Sequence, residues 1–339
     1  MTNRSAARTR AASRVTSTSA VEPRAARLTR VSTLPGLYMI STPMPARVRL
    51  CKGSSVASML WALFSLITNG ARGRQRDYRF PAISFGAYFR LFVERLLPES
   101  GQSLFLSDLL ALQRRVAFFG RFNSLSQVLL KLTSPGVPDL YQGCELWDYS
   151  LVDPDNRRPI DYRRRREILA ELEERIAQAS SERERELAGL ANELVEGAQD
   201  GKIKAYVIYQ GLNFRRGHKA LFGCGDYLAL EAAGPHRDHV CAFARCTGDD
   251  VVLVVVPRLV VRLTGGVERP PLGPEVWGKT ALLLPPHLAG RDYRNVFTGE
   301  VLSPAYARPA DTPNTSWEAP GLFLGELLER FPVALLHSP

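Results

Sequence analysis

Acidic residues are nearly missing from the first 76 positions: 13 Lys and Arg stand there against a single Glu22, while the remainder carries 31 basic and 33 acidic residues. The formal charge of +10 therefore belongs to the start of the chain, and the larger part is close to neutral. A phosphate-tracking surface on that larger part is thereby disfavoured. Cysteine is sparse as well. Cys51, Cys144, Cys224, Cys241 and Cys246 form no C-x-x-C pair and are odd in number, which excludes a zinc ribbon and a complete disulfide framework and points to a reducing compartment, the cytoplasm. Long apolar runs are absent too. The most apolar stretch, Val56 to Ile67, has 12 residues and two serines, short of the roughly 18 to 20 a membrane-spanning helix needs. Histidine numbers five, and His218, His236 and His239 show no metal-ligand spacing in sequence, so no metal and no cofactor is expected.

Residues 1 to 52 are rich in Arg, Ala, Ser and Thr and show no sustained helix or strand period, so they are expected not to fold alone. Such a composition fits an organellar transit peptide or a GC-rich stretch read out of frame. A nucleic-acid-binding tail is the weaker alternative, because aromatic residues are not interleaved with the basic ones. The whole segment 1 to 76 is read as basic and unfolded.

From Pro81 the pattern is orderly. Phe85 to Leu96 and Leu106 to Val116 repeat apolar residues at three- and four-residue steps, which predicts two amphipathic helices. Ser124 to Leu132 reads as a separate short helix with Asn123 as N-cap, stopped at Pro135-Gly136. Val137 to Tyr141 then reads as a short strand. Arg163 to Glu196 predicts a charged helical hairpin bent near Ala179 to Ser181, with Glu171 paired to Arg175 on its outer side. Ile203 to Phe222 predicts a helix broken near Gly217. Beyond Asp226 the chain turns to strands: Val240 to Cys246 alternates, Thr247 to Asp250 is a turn and Val251 to Val256 is a buried strand. Further apolar segments lie at Ala281 to Leu284, Gly321 to Leu324 and Val333 to Leu336. A boundary is placed near residue 225, and the β part, residues 226 to 339, is expected to be the most independently stable.

Ser134 to Tyr162 is the most informative stretch. Its five Asp, one Glu, two Arg, one Asn, one Gln, three Tyr and one Trp provide planar polar groups for sugar hydroxyls and aromatic faces for sugar rings. The same composition also serves a loop whose acids close turns on backbone amides. Within it Gly136, Pro138, Tyr141, Gly143 and Glu145 resemble the eighth barrel strand of α-amylase-clan enzymes. The longer string Asn123 to Tyr162, with SLSQ, KLTSPGVPD, YQG, ELWD and LVDPDNRRP in order, resembles one branch of that clan, the maltooligosyl trehalose synthases. Cys144 and Ile160 depart from the usual pattern. The resemblance runs on through Gly225 to Leu228, Ala242 to Arg245, Val255 to Leu259 and Phe331 to Leu336, covering residues 77 to 339.

The resemblance implies an α+β chain: the C-terminal remnant of a (β/α)8 barrel with a helical insertion over residues 77 to 225, followed by an all-β sandwich. It implies conversion of the reducing-end α-1,4 bond of a maltooligosaccharide to an α,α-1,1 bond, with no cofactor, and a possible functional pairing with maltooligosyl trehalose trehalohydrolase. It also implies that Gln142, Glu145, Asp153, Asp155, Asn156, Arg157 and Arg158 face substrate, at the active end of the barrel. Retaining chemistry needs a nucleophilic carboxylate and a second carboxyl about 5 to 5.5 Å away. Upstream of residue 77 there is one Glu and no Asp, hence no counterpart of the family's His-Asp-Thr-Lys segment, and no catalytic residue is assigned. The expectation is a chain inactive by itself, with a non-catalytic carbohydrate-binding or assembly fragment as the alternative.

Overall fold

The computed structural model describes residues 37–40, 47–50, 92–94, 96–97, 103–150, 155–178, 183–307 and 319–338. It divides into two units, residues 1–73 and 74–339.

In the first unit two strands, β1 (Leu37–Ile40) and β2 (Arg47–Leu50), pair antiparallel with Leu37 opposite Leu50 and Ile40 opposite Arg47. They are the two described elements within the segment expected not to fold alone. Leu, Tyr, Met and Ile on one strand and the alternation of Arg47 and Arg49 with Val48 and Leu50 on the other suit a pleated ribbon. The apolar run Val56 to Ile67 lies outside the described residues. No helix among those described is long and apolar enough to cross a membrane.

The second unit opens with one continuous helix, α1 (Leu104–Thr133), started by Ser103, whose side chain accepts from the Leu106 amide at 3.3 Å. The sequence had suggested two helices here, with Asn123 as a cap. Asn123 instead lies mid-helix and exposed, because Phe119, Phe122, Leu125, Leu129 and Leu132 carry one buried face straight past it. Tertiary burial thereby outweighs the weak local preference of Asn and Ser for a helix start. The helix does stop before Pro135-Gly136, where Gly136 takes φ 109°. The expected helix over Phe85 to Leu96 falls mostly outside the described residues.

Two charged helices follow, α2 (Tyr162–Gln178) and α3 (Arg183–Glu196). The expected bend between them lies outside the described residues. Ile168, Leu172, Leu187, Leu190 and Leu194 are buried, as their spacing requires. The expected pair of Glu171 with Arg175 gives way to longer-range partners: Glu171 accepts from Lys202 at 2.7 Å and Arg175 donates to Glu193 at 3.0 Å. Next come α4 (Lys202–Gly217) and α5 (Lys219–Cys224), broken at Gly217-His218. Gly211 of α4 sits where a Cβ would stand 2.9 Å from the Leu132 side chain, so glycine lets α4 approach α1 closely.

A six-stranded antiparallel sheet has the order β3-β5-β6-β12-β8-β9, formed by β3 (Asp226–Leu230), β5 (Val240–Thr247), β6 (Asp250–Pro257), β8 (Tyr293–Asn295), β9 (Val301–Leu302) and β12 (Ala334–Ser338). A second sheet, β10-β11-β7-β4, contains β4 (Ala232–Ala233), β7 (Ala281–Leu283), β10 (Ala305–Ala307) and β11 (Ala319–Phe323). The β5–β6 hairpin closes through Gly248-Asp249 with Thr247 opposite Asp250, and Gly248 supplies the positive φ of 58°.

Alternation along the strands divides the core into two layers. Ala242, Ala244, Val251, Leu253, Val255 and Leu336 face the second sheet, together with Trp277, Leu282 and Leu322. Phe243, Val252, Val254, Val256 and Leu335 face the other way, into a core shared with Phe122, Leu125, Leu129, Tyr206, Val207 and Phe222 of the helices. The unbroken VVLVVV run of β6 is therefore a strand covered on both sides. The helix-facing side of the six-stranded sheet is buried under α1, α4 and α5, so the core of the β part is continuous with that of the helices.

Candidate functional site: a ledge between residues 137 and 165

Val137 to Tyr141, expected to be a strand, has no strand partner among the described residues and runs as extended coil. A short strand is held by its neighbours' hydrogen bonds rather than by its own sequence. Val137 is 95% exposed and Tyr141 47%.

From Tyr141 the chain makes a tight turn that its own residues lock. Gly143 takes φ 92°, and a Cβ there would come within 2.7 Å of Ile160 Cδ1. Arg165, on the first turn of α2, donates from Nη2 to the Gly143 carbonyl at 2.7 Å and from Nε to Glu145 Oε2 at 2.9 Å. The same loop is also pinned by α4 and by the 3-10 turn that precedes it, Ala198–Asp200. Trp147 donates from Nε1 to the Ala198 carbonyl at 2.7 Å, and Lys204 donates to the Leu146 carbonyl at 3.2 Å with its ammonium 5.8 Å from the Trp147 ring centroid. Burial lowers the Lys204 ammonium below its ordinary range, against the opposing pull of Cys144, Asp148 and Glu145. Gly201, at φ 85°, leaves room for Trp147, since a Cβ there would meet the Trp147 amide at 3.1 Å.

The residues singled out in the sequence distribute unevenly over this ledge. Gln142 is exposed and accepts from the Tyr162 hydroxyl at 3.2 Å. Glu145 is committed to Arg165, an arrangement that suits an anchor of the turn better than a proton donor. Asp153 lies outside the described residues. Asp155, Asn156 and Arg157 form a single 3-10 turn. The Asn156 amide oxygen is buried and has no hydrogen-bond partner among the described residues. Arg157 and Arg158 are exposed, and Arg158 donates to Ser150 Oγ at 2.5 Å. Tyr141, Tyr149 and Tyr162 each show about half their surface, at 47%, 50% and 52%. Trp147, by contrast, is partly buried against the helical core.

Sequence reasoning missed Arg165 and Lys204. Arg165 is one of four consecutive arginines, Arg163 to Arg166, and only the helical phase that turns it toward Glu145 separates it from its exposed neighbours. It also gave no sign that His218 meets Asp250 and His337, because these come from three distant segments. Chemically the ledge displays guanidinium, amide and phenol groups of the kind that hydrogen-bond and stack on a polyhydroxylated ligand.

Comparison with known proteins gives a consistent result. No family model matches the chain. Over 266 residues it is 35% identical to a protein of Mycobacterium tuberculosis (strain CDC 1551 / Oshkosh) assigned as a maltooligosyl trehalose synthase, covering 75% of this chain and 29% of that protein. The corresponding protein of strain H37Rv gives the same figures. The solved structure of maltooligosyltrehalose synthase from Arthrobacter ramosus superposes with a TM-score of 0.56 at 25% identity, over 85% of this chain and 31% of that one. The chain thus spans under a third of the length of the relatives it matches, and it is similar to a segment of maltooligosyl trehalose synthases.

Proposed function

We propose that this chain is the C-terminal portion of a maltooligosyl trehalose synthase, in which the ledge from Tyr141 to Arg158 closes one side of a maltooligosaccharide site. The observation that carries the reading is the 35% identity over 266 residues, which includes the family-like string Asn123 to Tyr162. Exposed apolar side chains add to it. Leu104, Leu112 and Val116 on the first half of α1 are 89%, 52% and 55% exposed, and Val137, past its other end, is 95% exposed; these are apolar groups that the rest of a (β/α)8 barrel would cover. Gln142, Asp153, Asp155, Asn156, Arg157 and Arg158 then contact sugar hydroxyls, and Glu145 shapes the turn through Arg165. The whole enzyme rearranges the reducing-end α-1,4 bond to an α,α-1,1 bond. Its nucleophile and acid come from barrel strands that this sequence does not carry. The product is the substrate of a trehalohydrolase, the partner enzyme expected in the same cytoplasm.

The test is incubation with maltopentaose while reducing ends are followed. The chain alone should leave them unchanged. Mixed with the remaining portion of the Mycobacterium tuberculosis relative, it should remove them, and Arg157→Ala or Arg158→Ala should raise KM in that mixture. Turnover by the chain alone, abolished by Glu145→Gln or Asp153→Asn, would overturn the assignment. The exposure of Tyr141, Tyr149 and Tyr162 favours one second reading, a non-catalytic sugar-binding fragment, for which maltopentaose binds the chain alone and no mixture turns over.

A further inference from the structure

His218 occupies the break between α4 and α5, at φ −112° and ψ 52°, a non-helical conformation that directs its ring away from both helix axes toward the sheet. Its Nδ1 lies 2.9 Å from Asp250 Oδ2 at the start of β6. The other oxygen of the same carboxylate lies 2.9 Å from Nε2 of His337 near the end of β12. In the sheet His337 is paired with Val252, so Asp250 and His337 share the helix-facing side of neighbouring strands. The three donor atoms all lie within 4.8 Å of one another. Phe214 fixes both rings, stacked on His218 at 4.2 Å between centroids and edge-on to His337 at 5.1 Å. The side chains keep 26%, 33% and 20% of their surface open, so water reaches the group.

We propose that His218, Asp250 and His337 bind one divalent transition-metal ion, of the zinc, cobalt or nickel type. Two imidazoles and a carboxylate form a donor set that suits such ions rather than magnesium or calcium, which prefer oxygen alone. With metal-to-donor bonds of about 2.0 to 2.2 Å, neighbouring donors stand roughly 3 to 3.5 Å apart. The donors, now within 4.8 Å of one another, would close to that spacing by side-chain rotation. Each imidazole turns a neutral nitrogen lone pair to the ion in place of its N–H to Asp250, and its proton moves to the outer ring nitrogen. The aromatic wall at Phe214 holds the rings in position, and the open side leaves the remaining coordination place to water. The ion ties the α4–α5 corner to the centre of the sheet, a role separate from the sugar-binding ledge.

The experiment uses the full chain stripped with a chelator and titrated with cobalt(II). Expected are the visible absorption of low-symmetry cobalt at one ion per chain, its loss on adding zinc, and a rise in the thermal midpoint with either ion. His337→Gln keeps a hydrogen bond to Asp250 but removes a good ligand. It should abolish the cobalt spectrum while leaving the metal-free midpoint nearly unchanged, and His218→Gln should do the same. The double variant His236→Ala with His239→Ala removes the other histidine pair, whose rings are 6.0 Å apart, and should change nothing. The proposal fails if no cobalt band appears, which marks the group as a hydrogen-bonded clamp only. It also fails if the band survives both glutamine variants, or if a thiolate-to-cobalt band shows that cysteine holds the ion.

Discussion

Replacing Arg245 with methionine removes the most heavily used side chain in the described structure. Only 2% exposed, its guanidinium donates to the carbonyls of Asp226, Thr133, Leu221 and Gly225 at 3.2, 3.2, 3.2 and 2.8 Å, with a longer contact to Phe222 at 3.4 Å. Those carbonyls include the last of α1 and several at the end of α5, so one β5 side chain satisfies orphan groups at two helix ends and meets the negative ends of both dipoles. Arg215 adds a second guanidinium to the end of α1 through Leu132 and Gly136 at 2.8 and 2.5 Å. The Phe222 ring lies between the two, 5.1 Å from Arg215 and 5.9 Å from Arg245. A hydrogen bond to a charged donor contributes roughly 1.5 to 3 kcal/mol, but the terms do not simply add. The Leu221 carbonyl also accepts from the Gly225 amide, and the two like charges repel. Arg245→Met leaves buried carbonyls at two helix ends without this donor, at about 1 to 3 kcal/mol for each group left unsatisfied, while relieving the desolvation of the charge itself, so a net loss of about 3 to 5 kcal/mol is expected in urea unfolding followed by circular dichroism. Arg245→Lys should lose about half as much, because one ammonium cannot reach both helix ends. Arg215→Met, at a partly exposed site, should lose about 1 kcal/mol. An Arg245→Met loss under about 1 kcal/mol, or one no larger than that of Arg215→Met, would refute the staple.

Other outcomes follow from named contacts. Tyr293 is fully buried, donates to the Leu288 carbonyl at 2.6 Å and has its phenol pushed up to about 12 by burial. Because the unfolded phenol ionises first, stability should hold up to about pH 10 and fall as pH rises toward 12; Tyr293→Phe should flatten that fall in urea midpoints. Glu145→Gln breaks a partly exposed ion pair, with Arg165 19% and Glu145 36% open, so global stability should drop by only about 0.5 to 1 kcal/mol, while protease nicking between Tyr141 and Ser150 should accelerate. Residues 226 to 338 made alone expose Phe243, Val252, Val254, Val256 and Leu335, so they should bind a hydrophobic dye and aggregate; a cooperative, reversible melt of that fragment would contradict the shared core. Gly211→Leu forces α1 and α4 apart and should cost about 1 to 3 kcal/mol by overpacking, read from the same urea curves.

Where residues signal their neighbours locally, sequence and structure agree. The turn at Gly248-Asp249, the VVLVVV strand and the stop at Pro135-Gly136 were all legible, because each depends on backbone chemistry within a few residues. The continuity of α1 was not, since Asn123 and Ser124 look like a helix start until Phe122 and Leu125 are seen to need the same buried face. Val137 to Tyr141 was misread for the opposite reason: its composition suits a strand, but pairing is supplied from elsewhere. Arg245 sits in an alternating strand where an arginine reads as solvent-facing, and only the convergence of two helix ends makes that position a good one for a cation. In the candidate site, the polar composition of the loop was visible from the start, whereas the partner of Glu145 depended on the rotational phase of α2.

The place of β12 between β6 and β8 bears on how the molecule comes together. The β5–β6 hairpin closes over two residues and can form early, as can the pair of β8 and β9. Each then presents a bare strand edge, and on β6 that edge is almost wholly valine and leucine. The filler arrives late: Leu336 must find Leu253 on one side and Asn295 on the other. Until it does, the sheet remains in two halves with adhesive rims, open to pairing with a second copy. Closing it spans more than 75 residues, so the step is slow relative to hairpin formation. A few amino acids of β12 therefore govern the yield of folded protein at high concentration, and a mutation at Leu335 or Leu336 should be felt first as aggregation during refolding.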